Sequence, residues 1–285
     1  MAMDAEITIR RAETTADYRA LQAAQRKAWG IVEEGYVVPI ATMVGAQLHG
    51  GVVLGAFLPD GEAVGLSFAF LGRAEGRPCL YSQLTGVVPG YQDQGIGYRL
   101  KSAQREIARA ERVPCLCWAF DPLQAGNARF NLEKLGATCG RSIENMYGTR
   151  SDALNRDAAT DRLIAVWETG PSPTRDRPAS TGRDLPRLID VTTSGRIPAP
   201  TGDARLLGEE PALLLEIPAE INRLRAEDPD LAGRWGAVVR RAFLDAFAAG
   251  YRAVGSLRDD APEGRRVFYI LARGDSPGGG IGPAG

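Results

Sequence analysis

The sequence predicts an α/β fold of the α+β type, in which helices flank a mixed, mostly antiparallel sheet. Short alternating apolar runs, typical of half-buried strands, recur along residues 6–168. Between them lie stretches whose apolar residues are spaced three and four positions apart, which indicates amphipathic helices. Glycine, proline and aspartate separate the two kinds of segment and provide the turns.

The amino-terminal segments predict one strand, two helices and a hairpin. The strand is residues 6–12, and a helix follows it, capped by one of the threonines 14–15 and ended by Gly30. A second, short helix is predicted within residues 37–51. The tripeptide Pro-Asp-Gly at 59–61 joins two apolar runs and therefore predicts an antiparallel hairpin.

Strands and helices then alternate along the chain. Strands are predicted over residues 78–88, 115–120 and 137–148, and helices over residues 95–113 and 125–136. The first of these helices carries an apolar stripe at helical spacing, made of Ile96, Leu100, Ala103, Ile107 and Ala110. We expect this stripe to pack against the sheet.

Composition narrows the classes of function. The chain has 285 residues with a formal net charge of −1 and no cluster of basic residues, so a nucleic-acid partner is not expected. No apolar run reaches about 18 residues, so no membrane span is expected. The acidic amino-terminal segment does not resemble a secretory signal, and we expect a cytoplasmic protein. Lysine occurs only at positions 27, 101 and 134, which we interpret as a coding preference for arginine with no chemical consequence.

The cysteines and the single histidine argue against metal and imidazole chemistry. Cys79, Cys115, Cys117 and Cys139 lie in apolar or strand-like surroundings and are expected to be buried free thiols. Cys115 and Cys117 share one face of a strand, but a zinc site needs two further ligands and His49 is the only histidine. We expect no metal site, and no nucleophile activated by an imidazole.

The strongest functional signal is the passage from the fourth predicted strand into the following helix, "LTGVVPGYQDQGIG". A helix amino terminus presents unpaired N–H groups and a partial positive charge, so a glycine-bearing turn can wrap these donors around a diphosphate. Glycines remove the side chains that would hold the phosphates away, and a tight helix entry is the alternative explanation. Gln92 can close the rim of the turn with its amide. The candidate binding residues of the turn are Gln92, Asp93, Gln94, Gly95, Ile96 and Gly97.

The order of elements and this turn together resemble the GNAT superfamily of acyl-CoA-dependent acyltransferases. "QDQGIG" fits the signature Q/R-x-x-G-x-G/A of that family at Gln92, Gly95 and Gly97. The stretches 118–137 and 147–168 are similar to a bacterial branch of predicted GNAT acetyltransferases. The resemblance covers about residues 6–168 and implies a GNAT fold with acetyl-CoA (coenzyme A) as the cofactor.

The resemblance also implies further contacts with the cofactor. In the family, the end of the fourth strand separates from the fifth and holds the pantetheine arm, as an added strand would. Here that end includes Val87 and Val88, whose N–H groups are expected to polarise the thioester carbonyl. Asn127 lies where many relatives have an asparagine that contacts the cofactor. A helix cap is the alternative for Asn127.

The catalytic side chains that the family implies are not present in their usual places. Many members use a glutamate of the fourth strand as general base and a tyrosine of a later helix as general acid, and here the tyrosine position is Leu132. The candidates that remain are Tyr147 as acid and Glu144 as base. For Tyr147, local packing is the alternative. The carboxylates at 33–34 either attract an amine or are merely solvated.

The chain divides into four predicted parts. Residues 1–168 form the GNAT acyl-CoA-binding domain, and residues 169–186 form a linker or long loop. Residues 187–273 are expected to be a degenerate GNAT-like β-α-β half, with strands near 211–218 and 251–259 around a helix over about 231–249. The tail, residues 274–285, is expected to be disordered.

The predicted function is therefore acyl-CoA-dependent N-acyltransfer. The acyl group is expected to be acetyl, and the acceptor to be a small amine or an amino-acid-like molecule that attacks directly in a ternary complex. The alternative is a non-catalytic acyl-CoA-binding or regulatory module. A homodimer is one option for the assembly, which the sequence leaves open.

Overall fold

The computed structural model confirms the mixed α/β architecture, with a mostly antiparallel sheet and flanking helices. It describes residues 6–74, 76–148, 160–170, 184–192, 199–200, 210–261 and 264–273. The chain divides into two compact units: Met1–Trp118 with Glu168–Ser172, and Ala119–Trp167 with Pro173–Gly285. Most of the predicted linker and all of the predicted tail lie outside the described residues, and the boundary at residue 168 stays a prediction.

The first unit carries the predicted order of one strand, two helices, three strands, a helix and a strand. Its elements are β1 (Thr8–Arg11), α1 (Thr15–Trp29), α2 (Ile40–Leu48), β2 (Val52–Phe57), β3 (Ala63–Ala74), β4 (Arg77–Val87), α3 (Ile96–Ala110) and β5 (Cys115–Phe120). A short 3-10 turn, Glu34–Tyr36, lies between α1 and α2. The strands lie side by side in chain order from β1 to β5, and only the β4–β5 pair is parallel.

Helix α1 begins and ends at the residues that the sequence indicates. The Thr14 hydroxyl accepts the Asp17 N–H at 3.1 Å, and the Asp17 carboxylate accepts the Thr14 N–H at 3.0 Å, which is a capping box. Gly30 ends the helix in the left-handed conformation with φ of 60°. Local hydrogen bonds therefore fix both ends of α1 without help from distant residues.

The sheet of the first unit is covered by helices on both faces. Leu21 of α1 and Met43 of α2 pack with Leu66 and Phe68 of β3 in one apolar cluster. Helix α3 packs against β3 at Gly65. A methyl group placed on Gly65 would lie 3.2 Å from side-chain carbons of both Ile96 and Leu100, which shows how close the packing is. Burial of these apolar groups is the main stabilising contribution in this unit.

The second unit contains the remaining elements. They are α4 (Ala125–Ala128), β6 (Thr138–Ile143), β7 (Arg162–Glu168), β8 (Val191–Thr192), β9 (Ala199–Pro200), β10 (Ala212–Ile217), α5 (Ile221–Glu227), α6 (Pro229–Ala248), β11 (Tyr251–Ala261) and β12 (Gly264–Arg273). Strands β7, β6, β11, β12 and β10 lie in that order, and each neighbouring pair is antiparallel. Strands β8 and β9 form a separate pair.

The predicted helix over 125–136 is only partly α-helical. After α4 the chain continues as a π-helical segment, Arg129–Leu135. The Gly136 N–H donates to the Asn131 carbonyl, five residues back, which is the π-helix pattern. The wider turn buries both Leu132 and Leu135. Apolar spacing does not distinguish this geometry from an α-helix.

The carboxy-terminal part has the predicted order of strand, helix and strand, with different pairing. Helix α6 begins at Pro229 rather than at residue 231 because Asp228 accepts the Leu231 N–H at 2.9 Å and proline is favoured in the first turn. The helix α5 before it was not predicted. Strand β12 pairs with both β10 and β11 and so lies between them, whereas β4 and β5 are direct neighbours.

The core of the second unit is aromatic. Trp235 and Phe243 of α6 are fully buried, and the Phe243 ring meets Tyr269 of β12 edge-on at 5.0 Å between centroids. The Tyr269 hydroxyl donates to the Pro122 carbonyl at 2.8 Å, which satisfies its polar group inside the core. In the described part of the chain, no helix is long and apolar enough to cross a bilayer.

We predict that Asp17→Asn destabilises the protein at neutral pH. The Arg10 guanidinium hydrogen-bonds to this carboxylate and, with the N–H groups of Glu13 and Thr14, holds the pKa of Asp17 well below its ordinary value. A depressed pKa contributes stability above the unfolded value, about 3.9, and that contribution is lost as pH falls below it. We expect a loss of about 1–3 kcal/mol in the free energy of unfolding at pH 7.

Urea unfolding at pH 7 and at pH 2.5 measures this difference. The loss should shrink at the lower pH because the unfolded wild-type chain then binds a proton at Asp17 that the folded state does not, which removes part of the stabilisation. The control is Glu13→Gln at an exposed neighbouring position, which should change stability little. An Asp17→Asn variant as stable as the wild type at pH 7 would contradict the prediction.

Candidate functional site

The defining feature of the candidate site is the point at which β4 leaves β5. The two strands pair only at Leu80 with Leu116 and at Tyr81 with Cys117. A β-bulge follows at once, since Phe68 of β3 pairs with Leu84 and Ala69 pairs with Ser82, which leaves Gln83 unpaired. Bulges bend the strand that carries them, so the rest of β4 diverges from β5. The sequence-based expectation of a separated strand end is therefore confirmed.

Beyond the bulge, one edge of β4 carries backbone groups that β3 does not use. The Val88 N–H donates to the Val64 carbonyl at 2.9 Å, so positions 88 and 64 form a hydrogen-bonded pair. Because such pairs alternate in antiparallel sheets, the N–H groups of Val87 and Thr85 point away from β3. Our expectation that the Val88 N–H would polarise a carbonyl is wrong, because that N–H is occupied. Val87 retains this capacity, and Thr85 joins it.

The turn after β4 has the backbone conformation that the glycines indicated. Gly90, Asp93 and Gly95 have φ of 91°, 62° and 75°, all in the left-handed region. Such a conformation is unusual for a residue with a side chain, and aspartate is among the few that tolerate it. The turn thus reverses the chain from β4 into α3 within a few residues.

The amino terminus of α3 has N–H donors that no other backbone group uses. The first helical bond runs from the Arg99 N–H to the Gly95 carbonyl, and among the described residues no backbone acceptor is found for the N–H groups of Ile96, Gly97 and Tyr98. Within the described part of the chain, no side chain caps this helix. Gln92, Asp93, Gln94 and Gly95 are exposed, whereas the Ile96 side chain is buried.

The glutamines of the turn do not block these donors. Gln92 Nε2 donates to the Val87 carbonyl at 3.2 Å, and Gln94 Nε2 donates to the Gly90 carbonyl at 3.3 Å. The Gln92 amide is therefore turned toward the end of β4. A row of helix-terminal N–H groups without backbone acceptors among the described residues, next to a strand edge with unused polar groups, fits the diphosphate and the amide-bearing arm of coenzyme A.

Asn127 and Leu132 belong to the second unit. Asn127 is exposed and is the third residue of α4, whose cap is Gln124. The alternative of a helix cap for Asn127 is therefore wrong, and a contact with the cofactor stays a prediction. Leu132 is fully buried. Its neighbour Glu133 accepts the Ser256 N–H at 2.7 Å, which engages this carboxylate in holding β11.

Glu144 and Tyr147 lie in the turn after β6. The Glu144 carboxylate receives a hydrogen bond from Arg240 Nη1 at 2.7 Å, and the same guanidinium donates to Asp161 at 2.7 Å. This ion pair engages the carboxylate that was predicted to act as a base. Tyr147 is 40% exposed, and the Arg162 guanidinium lies 5.3 Å from its ring centroid. The structure is compatible with local packing of Tyr147, and its role as an acid stays a prediction.

The loop carboxylates and the histidine have simple surroundings. Glu33 is exposed just before the 3-10 turn, and its carbonyl accepts the Tyr36 N–H at 3.2 Å. Its proposed attraction for an amine stays a prediction, as does that of Glu34. His49 is the residue that ends α2. The four cysteines are buried free thiols, as predicted, and the Sγ atoms of Cys79 and Cys117 lie 3.1 Å apart.

A buried polar cluster beneath the β4–β5 junction was missed by the sequence analysis. Lys101 of α3 is only 4% exposed, and its ammonium lies 3.8 Å from the Trp118 ring centroid. Lys101 Nζ donates to Ser82 Oγ at 2.8 Å, and Ser82 Oγ donates to Gln104 Oε1 at 2.9 Å. We call Lys101, Ser82 and Gln104 the junction cluster.

Two properties make the junction cluster unusual. Burial lowers the pKa of the Lys101 ammonium to about 7 because the charged form is poorly solvated there. Gln104 Nε2 is buried and has no hydrogen-bond partner among the residues that the structure describes. The available signal in the sequence was the rarity of lysine, which we had interpreted as a coding bias. The apolar stripe of α3 hid the cluster, because Ala110 is exposed and Lys101 and Gln104 are buried instead.

Comparison with known proteins gives similar solved structures and nothing else: no protein-family model and no curated protein matches this chain. The ribosomal-protein-S18-alanine N-acetyltransferase from Escherichia coli is 18% identical, with a TM-score of 0.46 over 60% of this chain and 98% of its own. A GNAT-family protein from Desulfovibrio desulfuricans is 19% identical, with a TM-score of 0.42. The match covers 58% of this chain and 100% of that protein. The yncA protein from Salmonella typhimurium with its cofactor acetyl-CoA is 20% identical, with a TM-score of 0.48. The match covers 60% of this chain and 99% of that protein.

We predict that Lys101→Met stabilises the protein at and below neutral pH. The folded state binds the lysine proton with a pKa of about 7, whereas the unfolded chain binds it with a pKa of about 10.4. Between these pH values the unfolded state binds more protons than the folded state, so the free energy of unfolding decreases as pH falls. The full decrease caused by Lys101 is reached below pH 7. The methionine variant avoids this cost, which is on the order of a few kcal/mol.

Thermal or urea unfolding across pH 6 to 10 measures the effect. The advantage of the variant should be largest at pH 6 and shrink toward pH 10, where both states of the wild type lose the proton. Lys134→Met, at an exposed position, should show no such trend. A Lys101→Met advantage that is independent of pH would contradict the assigned cause.

Proposed function

We propose that this protein is a GNAT-type N-acyltransferase that uses acetyl-CoA and transfers its acetyl group to a small amine or amino-acid-like acceptor. The single observation that carries the proposal is the continuous segment from the β4 bulge to the first turn of α3. This segment combines a divergent strand edge with a row of helix-terminal N–H groups that have no backbone acceptor among the described residues. The strand edge suits the amide-bearing arm of coenzyme A, and the helix-terminal amides suit its diphosphate.

The turn supports diphosphate binding through backbone groups. The N–H groups of Ile96, Gly97 and Tyr98, with the helix dipole, would neutralise the diphosphate. The left-handed turn brings β4 directly to this helix end. The residues that would hold the cofactor are therefore the backbone of the turn and the outer edge of β4 at Thr85 and Val87. The contribution of Asn127 is part of the same proposal.

The divergent edge supports the acyl-transfer step. Transfer to an amine requires a neutral amine and stabilisation of the charge that develops on the carbonyl oxygen. The outward N–H groups of Thr85 and Val87 are suited to the second task. A fixed donor that is already in place costs no reorganisation at the moment of reaction. Tyr147 remains the candidate for protonating the leaving thiolate.

The proposal also assigns a role to each part of the chain. Residues 1–168 would form the acyl-CoA-binding domain, and residues 187–273 would form the degenerate half. Neither α5 nor α6 begins with a glycine turn like that of α3. The buried free thiols favour a reducing, cytoplasmic compartment. For the assembly, a homodimer remains the option to test.

A non-catalytic acyl-CoA-binding module is the second candidate. It is favoured by Leu132 at the position of the usual tyrosine and by the absence of a carboxylate from β4. Incubation with acetyl-CoA and a panel of amines, followed by titration of free thiol, separates the two. Release of thiol that depends on an amine supports the transferase. Saturable binding without such release supports the module, and no binding overturns both.

We predict that Gly97→Leu weakens coenzyme A binding at least tenfold. A branched side chain in the first turn of α3 would project toward the phosphates and hold them away from the amides. Calorimetric titration measures the affinity, and the shift in melting temperature at saturating coenzyme A checks it independently.

The matched control is Gly233→Leu. This glycine is exposed on α6, and no heavy atom lies within 4 Å of a methyl group placed on it. The control should keep the affinity of the wild type. Equal affinity of Gly97→Leu and the wild type would overturn the assignment of the turn.

A further inference from the structure

The junction cluster lies at the inner end of the proposed acyl-CoA groove. Ser82 is the β4 residue that follows the last β4–β5 pair, and Gln83 bulges out directly after it. Trp118, whose ring lies against the Lys101 ammonium, directly follows the last paired residue of β5. Lys101 therefore reaches the sheet at the point where the two strands separate.

The hydrogen bonds of the cluster have two possible directions. With a charged lysine, Lys101 donates to Ser82 and Ser82 donates to Gln104 Oε1, which leaves the buried Nε2 without an acceptor. With a neutral lysine and a turned amide, Gln104 Nε2 donates to Ser82, and Ser82 donates to the lone pair of Lys101. Each direction leaves one atom of the Gln104 amide without a partner among the described residues, Nε2 in the first and Oε1 in the second. The direction of the chain thus depends on whether lysine holds its proton.

We propose that Lys101 and Ser82 form a proton relay that receives the proton of the acceptor ammonium before the amine attacks. The inference rests on the proposed acyltransferase function and supplies the base that β4 lacks. Ser82 exchanges the proton, and Lys101 is a positioning residue that acts through Ser82. No glutamate of β4 is needed for this step.

The proton balance of the relay is simple. Because Ser82 is buried, the proton enters through the partly exposed Thr85 hydroxyl. The acceptor ammonium gives one proton to Thr85 Oγ1, Thr85 gives its own proton to Ser82 Oγ, and Ser82 gives its own to Lys101 Nζ, so a neutral amine and a lysine ammonium result. Thr85 connects the cluster to the strand edge, because its Oγ1 lies 3.5 Å from Ser82 Oγ and its side chain is partly exposed. No bond to the acyl donor forms or breaks in this step.

The electrostatic surroundings favour a lysine that titrates near neutrality. Burial is the main cause that lowers its pKa, and the titratable group that faces it is the Cys117 thiol of β5. The pKa of that thiol is raised by its hydrogen bond to Cys79 on β4 and by burial, so it stays uncharged. The neighbours on β4 and α3, Ser82 and Gln104, carry no charge. A base is most effective when its pKa lies near the working pH.

The test uses the fact that the chain has only three lysines. In protein labelled with ¹³C at lysine Cε, the Lys101 signal is assigned by its loss in Lys101→Met, and its titration midpoint should lie near pH 7. The pH profile of kcat/KM, with an amine found active in the thiol assay, should rise with the same midpoint. A Lys101 midpoint near the ordinary value, about 10.4, would overturn the relay.

Variants separate a relay from a structural role. Lys101→Arg keeps the charge and the contact with Trp118 but cannot lose its proton. In this variant kcat/KM should fall by about 10²-fold or more, and the rise of kcat/KM near pH 7 should vanish. Ser82→Ala should lose the same rise, and Ser82→Thr should restore it. Lys134→Arg is the control and should match the wild type.

The outcomes distinguish this inference from the function on which it rests. If coenzyme A binds, thiol is released and Lys101→Arg keeps the wild-type profile, then the relay is overturned and the transferase stands. If no amine releases thiol, both fall. Coenzyme A affinity and the melting temperature of each variant show whether its loss of rate comes from the relay or from a damaged fold. If the Lys101→Arg variant does not fold, the pH profiles of Ser82→Ala and Ser82→Thr test the relay instead.

Discussion

The short hydrogen-bonded contact between β4 and β5 is the constraint on which the rest of the structure depends. Parallel strands normally satisfy each other over their whole length, but here the pairing ends at Tyr81 with Cys117. The bulge at Gln83 turns β4 away, and the edge that results carries backbone N–H groups that point away from β3. The first-turn N–H groups of α3 and the junction cluster lie at the two ends of this divergent segment.

Local signals in the sequence predicted local structure well. The capping box of α1, the β2–β3 hairpin and the glycine turn are each fixed by residues a few positions apart, so a single short stretch contains the whole cause. The bulge at Gln83 could not be predicted, because it depends on the register between β3 and β4. The π-helical segment was missed because apolar spacing fits both helix types.

The candidate side chains were predicted less well because their partners are distant in the sequence. Glu144 is engaged by Arg240, and Glu133 holds the backbone of Ser256, each across about a hundred residues of chain. No spacing rule connects such positions. Lys101 shows the opposite error, because a lysine to which the sequence analysis assigned no chemical consequence is buried against Trp118. Only the packing of α3 on the sheet reveals that its buried face is partly polar.

The position of β12 between β10 and β11 affects the order in which the second unit can form. The apolar strand β10 leaves the ribosome first, yet its antiparallel partner is the last strand of the described chain. Until β12 is made, the Leu213–Leu215 stretch of β10 lacks that partner, and an unpaired apolar edge readily joins a neighbouring chain. Nascent chains that stop before residue 264 would therefore be recognised by chaperones or would aggregate, and a complete second unit requires synthesis through β12.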